Sequence, residues 1–367
     1  KHRKKTRLVV YKLNEFRDYH HGNTVPSTGY LRWFALQPAI EGFTLRFPRR
    51  HRPTELLPVP EFRILLETFL QYGDWIDTLG IPDVGALNEA ITAGRAREIV
   101  LVTEALHERR IAEIAAKIAE RRKDKRVVLI AGPSSSGKTT FSKRLSIQLL
   151  ARGLAPYPIG LDNYFIDREK TPLDEDGEYD YESLQVLDLA RLNEDIKRMI
   201  AGEEVRLPRY DFLQGKQVEG ELIQLDSDQI IILEGIHGLN PELLPEIPPE
   251  NNFRIYVSAL TQLNLDRFNR VSTTDTRLIR RIVRDAAQRG YTAQETIRRW
   301  ESVRRGERKY IFPFQENADA MFNSALVYEL AVLRPLAEPL LLQVEPGNAH
   351  YNEARRLLSI LAWLQPL

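Results

Sequence analysis

Residues 132–139 carry the clearest chemistry in the chain: Gly132, Pro133, Ser134, Ser135, Ser136, Gly137, Lys138 and Thr139. Their spacing is G-x4-G-K-[ST]. The two glycines let the backbone wrap closely round phosphate oxygens, with successive N–H groups pointing inward. A helix beginning at the end of the loop, at Lys138, Thr139 and Thr140, would add its positive N-terminus to the same anion site. Lys138 is long enough to reach the outer phosphates of a nucleoside triphosphate, and the Thr139 hydroxyl suits Mg²⁺. A chance glycine-serine turn would not have the flanks seen here, an apolar strand RVVLIA before the loop and a helical pattern after it. The loop therefore predicts ATP and Mg²⁺ as ligands.

Two carboxylates fall where such a site needs them. Glu234 ends the apolar run QIIILE, and Asp162 follows YPIGL. In an open α/β sheet, ligands bind in the crevice beyond the carboxyl ends of the strands. Glu234 there would hold Mg²⁺, directly or through water, or hold the acceptor. Asp162 would orient or deprotonate an attacking hydroxyl. The competing reading of Asp162 is an Asx-turn cap helped by Asn163, and spacing alone does not separate the two. His237, three residues past Glu234, reads equally as an acceptor or phosphate contact and as a structural loop residue. His20 and His21 are adjacent, so on a strand they would point to opposite faces; packing or surface roles fit them better than a shared metal.

Two segments carry opposite charge. Residues 162–182 hold nine acids and two bases, net −7, and residues 277–309 hold eleven bases and four acids, net +7. The acidic segment suits hydroxyl groups and Mg²⁺. The basic one suits a lid whose arginines neutralise a transferring phosphoryl group. Most of these charges need be no more than solvated faces. RNA backbone contact is the alternative for the basic segment. It ranks lower, because Tyr291 and Trp300 are the only aromatics within 277–309 to stack on bases.

The elements that must position these groups follow from periodicity. Continuous apolar runs at 126–131, 157–161, 229–235 and 253–257 read as strands buried on both faces. Helical spacing fills 184–201, 259–271, 276–290 and 293–305, and a helix starting after the loop is ended by Gly153. Strands alternating with helices predict a parallel sheet flanked by helices. Upstream, 8–50 alternates short apolar runs with turn residues and reads as a small β-rich unit. The stretch 48–60 is a proline-rich connector, and 61–122 turns helical. A mixed apolar tail closes in a helix, NEARRLLSILAWL.

Composition bounds the rest. The chain has 367 residues, 43% hydrophobic and 28% charged, with a formal net charge of +1. That is ordinary globular composition, enough for two or three units at roughly 150 residues each. The balance excludes a uniformly basic surface. No run of eighteen apolar residues predicts a membrane span. Cysteine is absent, which removes disulfides, thiolate metal sites and thiol catalysis. The expected location is the cytoplasm. The first residue is Lys1 rather than Met, which predicts a segment upstream.

The motifs GPSSSGKTTFSKRL, LDNYF, LPRYDF, LEGIHGLN and TDTRLIRRIVRDAAQRG occur in this order. Together they resemble the uridine kinase / phosphoribulokinase family of P-loop kinases, over about 125–330. The resemblance implies a P-loop NTPase-type sheet and transfer of the γ-phosphoryl group of ATP to a small-molecule hydroxyl, foremost the 5′-hydroxyl of uridine or cytidine. It implies Asp162 as catalytic base, with Lys138 and the lid arginines Arg277 and Arg281 at the transferring group and Arg280 and Arg284 on phosphates. Asp180 would hold ribose hydroxyls. Tyr164 and Tyr210 would line the acceptor site beside Glu234 and His237. Pyrimidine-specific relatives place a histidine a few residues after YDF. This sequence runs YDFLQGKQVEG, so the base stays open, as do pentose phosphate and pantothenate as acceptors, and an RNA-binding or regulatory ATP-binding protein as the rival class. A homo-oligomer also stays open.

FRDYHHGNTVPSTGYLRWFAL (16–36) resembles the end of the second additional domain of threonyl-tRNA synthetases, with His20 and Thr24 at the positions of that domain's Cys and His. The upstream HxxxH helix is absent, so the resemblance does not imply editing activity. The expected layout is a synthetase-like remnant at 1–60, helical linker at 61–124, kinase at 125–330 and C-terminal extension at 331–367.

Overall fold

A computed structural model describes residues 10–19, 25–40, 42–49, 52–58, 62–121, 126–175, 177–266 and 269–367. His20, His21 and Thr24 lie outside the described residues. The chain divides into two compact units, Lys1–Glu67 and Thr68–Leu367.

The first unit holds two antiparallel hairpins. One joins β1 (Val10–Leu13) to β2 (Phe16–Tyr19), with Asn14 at φ 53° in the turn, where Asn tolerates the left-handed region. The other joins β3 (Ala35–Ala39) to β4 (Gly42–Arg46).

Three helices come next: α1 (Arg63–Leu79), α2 (Val84–Thr92) and α3 (Ala96–Glu120). Asp83 caps α2 by accepting from Ala86 N at 2.9 Å. Then come β5 (Val127–Ala131), α4 (Lys138–Leu150), β6 (Pro156–Gly160) and α5 (Leu189–Ile200). An antiparallel hairpin follows, β7 (Glu204–Asp211) with β8 (Lys216–Gln224). The chain continues through β9 (Ile230–Glu234), β10 (Asn252–Ser258), α6 (Thr273–Arg289), α7 (Ala293–Tyr310), β11 (Ala320–Asn323), α8 (Glu329–Leu342) and α9 (Tyr351–Leu361).

Five of these strands form one parallel sheet in the order β11-β10-β5-β9-β6. This is the parallel, helix-flanked sheet that the alternating pattern predicts. Strand side chains alternate between two cores. Val128, Ile130, Ile230 and Ile232 pack with α3 and α4, whereas Val127, Leu129, Ile231 and Leu233 pack with α5 and the β7–β8 hairpin. Each fully buried aliphatic side chain contributes about 1.5–3 kcal/mol. A third core joins α2, α6, α7, α8 and α9.

The register levels the functional ends. Glu234 on β9 pairs with Ile130 on β5 and with Gly160 on β6. The phosphate loop begins two residues beyond Ile130, and Asp162 stands two residues beyond Gly160. The chain leaves β5 for β6 on one side and later for β10 on the other, so the crevice opens where the strand order reverses.

One expected helix does not form. Residues 259–266 and 269–271 run without regular structure. Their polar backbone is used elsewhere: Asn264 O accepts from Val84 N at 2.9 Å, and Leu265 N donates to Asn269 O at 2.7 Å. Leu260, Leu263 and Val271 are buried without a helical ladder. The expected helix 184–201 starts later, because Asp188 caps α5 by accepting from Arg191 N at 3.1 Å. The β7–β8 hairpin and β11 are additions that the sequence pattern does not predict.

Candidate active site

The phosphate loop leaves β5 and enters α4, as its chemistry requires. Gly132 is needed sterically: a Cβ there would lie 2.0 Å from Val257 O. Gly137 takes φ 88° at the start of α4. Ser135 also takes a left-handed φ, 57°, a strained conformation that neighbours must hold. Arg280 does part of this, donating NH1 to Ser135 O at 3.4 Å, while Ser324 donates its hydroxyl to Ser136 O. Ser136 N donates to Pro133 O at 3.2 Å. Among the described residues, Ser135 Oγ and Ser136 Oγ are buried without a hydrogen-bond partner. Lys138 Nζ donates to Gly132 O at 2.9 Å and to Pro133 O at 3.4 Å. Thr140, exposed beside Thr139, lies in the first turn of α4.

The carboxylates converge on the loop. Thr139 donates its hydroxyl to Glu234 Oε2 at 2.9 Å. Asp162 sits in a 3-10 turn just after β6, at the mouth of the crevice. Burial of the carboxylate against the crevice wall, and then the Glu234 carboxylate, push its pKa up, against the pull of Lys138 and Arg289. The Thr139–Glu234 contact joins two oxygen donors of the kind Mg²⁺ takes. The Gly132 cradle and the two unpartnered serine hydroxyls fit a phosphate chain. These residues thus fit ATP and Mg²⁺.

The four arginines expected in a lid divide. Arg281 donates NH1 to Ser134 Oγ at 2.7 Å, and Arg280 reaches Ser135. Arg277 and Arg284, expected at phosphates, are engaged elsewhere. Arg277 is 2% exposed and donates NH2 to Glu307 Oε2 at 2.6 Å, beside the Trp300 ring. Arg284 donates NH2 to Asp285 Oδ1 at 2.9 Å. Asp285 and Glu307 are each 1% exposed, and a buried carboxylate needs a cation beside it; Arg281 and Arg280 also pair with Asp285 and Glu329, yet both still reach the loop.

Where the acceptor is expected, Tyr210 stacks edge-on against Phe165 at 5.5 Å and Phe212 at 5.0 Å. Asp180 Oδ1 accepts from Glu182 N at 3.2 Å, and its Oδ2 accepts from Tyr310 OH at 3.2 Å. The two charged segments meet here: Arg305 also reaches Asp174 at 3.3 Å.

Two expected acceptor residues lie in the interior instead. Tyr164 is fully buried, and its hydroxyl donates to Asp195 Oδ2 at 3.1 Å. Its place in an apolar cluster beneath β6 withdraws it from the crevice. His237 is buried against the Tyr310 ring. Its ring nitrogens face the backbone of Glu182 and Ser183 without closing a hydrogen bond, and burial lowers its pKa to about 4, so the ring is neutral.

Sequence reasoning missed Glu307 and Glu182. Glu307 Oε1 accepts from Ser134 N at 3.0 Å. Burial, and next the nearby Glu307, raise the Glu182 pKa to about 7. The available signal was Gly306, a glycine inside a helix, where a Cβ would lie 2.3 Å from Glu182 Cβ.

Among known proteins, residues 127–331 match the family described as "Phosphoribulokinase / Uridine kinase family". A uridine kinase of Deinococcus deserti is 26% identical over 196 residues, 53% of this chain and 86% of that protein. A uridine kinase of Staphylococcus epidermidis is 28% identical over 194 residues, 53% of this chain and 84% of its own length. Among solved structures, D-glycerate 3-kinase from Cryptococcus neoformans aligns with TM-score 0.40 and 13% identity, covering 59% of this chain and 91% of that one.

Proposed function

We propose that this chain, which belongs to the Phosphoribulokinase / Uridine kinase family, transfers the γ-phosphoryl group of ATP to the 5′-hydroxyl of uridine or cytidine. It is an ATP-dependent kinase; the pyrimidine nucleoside and the residue roles are the proposal. The observation that carries it is the level arrangement of Thr139, Glu234 and Asp162, with the 2.9 Å contact between the first two.

Thr139 and Glu234 would hold Mg²⁺, which when bound draws charge from the transferring phosphoryl group. Lys138 and Arg281 stabilise negative charge at the loop, and Arg280 keeps the loop in shape. Asp162 accepts the proton of the acceptor hydroxyl. Its pKa is raised, which makes its carboxylate a stronger base than an ordinary aspartate. Tyr210, Phe165 and Phe212 offer an aromatic wall to a base, and Asp180 offers carboxylate oxygens to ribose hydroxyls. The uridine kinases among the relatives support the nucleoside reading. The kinase unit is proposed as 125–330, with 16–36 a synthetase-like remnant supported by its motif alone.

The test is ADP release from ATP and Mg²⁺ with uridine, cytidine, purine nucleosides, pantothenate and pentose phosphates. Turnover with uridine or cytidine is expected to exceed the others at least tenfold. Turnover with none of them sinks the proposal, and turnover with a phosphorylated acceptor alone replaces it.

A further inference from the structure

A carboxylate already sits at the phosphate loop. Glu307, near the end of α7, accepts from Ser134 N through Oε1 at 3.0 Å and from Arg277 NH2 through Oε2 at 2.6 Å. Both side chains of that ion pair are 2% exposed. Ser134 is also held through its hydroxyl by Arg281 NH1 at 2.7 Å. The Trp300 ring lies 5.3 Å from the Arg277 guanidinium and 5.9 Å from that of Arg281. An amide of an anion-binding loop, faced by two guanidinium groups, is thus satisfied by a negative charge of the protein itself.

We propose that Glu307 is an internal anion, an autoinhibitory latch that the phosphates of ATP must displace from Ser134 and Arg277. The inference rests on the reading of the loop as an ATP site. A buried carboxylate beside the loop repels an arriving triphosphate. It also keeps Arg277 paired, because an unpaired buried guanidinium is costly. When phosphate takes the place of Glu307, Arg277 exchanges one anionic partner for another and becomes available to the phosphoryl group. The α7 end that carries Glu307 also packs on the acceptor segment, where Gly306 lies against Glu182. Lys138 and Arg281 act on both acids and partly offset the repulsion between them, to which Asp180 adds at Glu182. The latch therefore links donor binding to the acceptor segment through the α7 end.

The test is equilibrium binding of ATP–Mg²⁺ to the full chain, with intrinsic Trp fluorescence recorded in the same titration. Glu307→Gln keeps the shape and removes the charge. It should tighten ATP binding on the order of tenfold, while Glu307→Asp, which keeps the charge, stays near wild type. Wild type should show an ATP-dependent fluorescence change that Trp300→Phe abolishes. A folded Glu307→Gln that binds ATP no better than wild type overturns the latch. Should that variant not fold, the wild-type titration decides: a Trp300-dependent change supports displacement, and its absence overturns it. If wild type does not bind ATP at all, the donor-site reading fails, a result distinct from either of these.

Discussion

The hydroxyl of Thr139 donates to Glu234 Oε2 at 2.9 Å, closing the gap between the end of the phosphate loop and the end of β9. The two residues are ninety-five positions apart. They meet because β9 lies beside β5 in register, Ile130 against Glu234. Disturbing either member should act on Mg²⁺ before anything else. Glu234→Gln and Thr139→Val should each raise the Mg²⁺ concentration for half-maximal rate by about 10–100-fold, the usual loss when a metal-site partner is removed. An unchanged Mg²⁺ titration would take both residues out of the metal site.

Asp162→Asn should lower kcat by about 10²–10⁴-fold, the usual contribution of a positioned base. ATP affinity should stay within a factor of about two, since Asp162 lies on the acceptor side of Glu234. Because the pKa of Asp162 is raised, turnover should fall on the acid side at a higher pH than an ordinary aspartate would give. The pH–rate profile of wild type should show an acid limb that the variant lacks, and identical profiles would exclude Asp162 as the base.

Tyr164→Phe separates core from crevice. The variant leaves Asp195 Oδ2 without its buried donor and should cost about 1–2 kcal/mol of stability in denaturant titration. The acceptor KM and kcat of the folded protein should not change. A raised acceptor KM at unchanged stability would return Tyr164 to the site.

Glu182 supplies a pH signature. Folded, its pKa is about 7, against about 4.3 in an unfolded chain. Between those values the folded state binds the extra proton, so this group's contribution to stability falls as pH rises. Glu182→Gln, which resembles the protonated acid, should melt with wild type near pH 5 and above it at pH 8. Melting curves that keep a constant offset from pH 5 to 8 would refute the assignment.

Gly132→Ala tests the loop's steric floor. A Cβ 2.0 Å from Val257 O cannot be relieved by a side-chain rotation, because the obstacle is backbone on β10. The variant should lose more than about 3 kcal/mol, or fail to fold, beyond the 1–3 kcal/mol typical of overpacking. Wild-type stability in chemical denaturation would mean that the loop is free to shift.

The phosphate loop, the parallel sheet and the strand-end positions of Glu234 and Asp162 were legible in the sequence because each depends on local pattern. Buried strands read as apolar runs, and G-x4-G-K-[ST] fixes its own backbone demands. The paired function of the arginines was not legible. Arg277, Arg280, Arg281 and Arg284 share a helix and look alike in sequence. Which of them meets the loop depends on Asp285, on Glu307 thirty residues beyond Arg277, and on Ser324 and Glu329 across the fold. Tyr164 and His237 went inward for a similar reason: an aromatic beside a crevice motif carries no mark of which side of the strand end it will take. The absent helix at 259–271 shows the same limit, since its periodicity was outweighed by the backbone demands of α2 and by close packing. Sequence by itself thus determined the chemistry the chain carries and the strand ends that present it. Only tertiary structure decided which charges are neutralised, because burial penalises an unpaired charge and burial is a property of the whole fold.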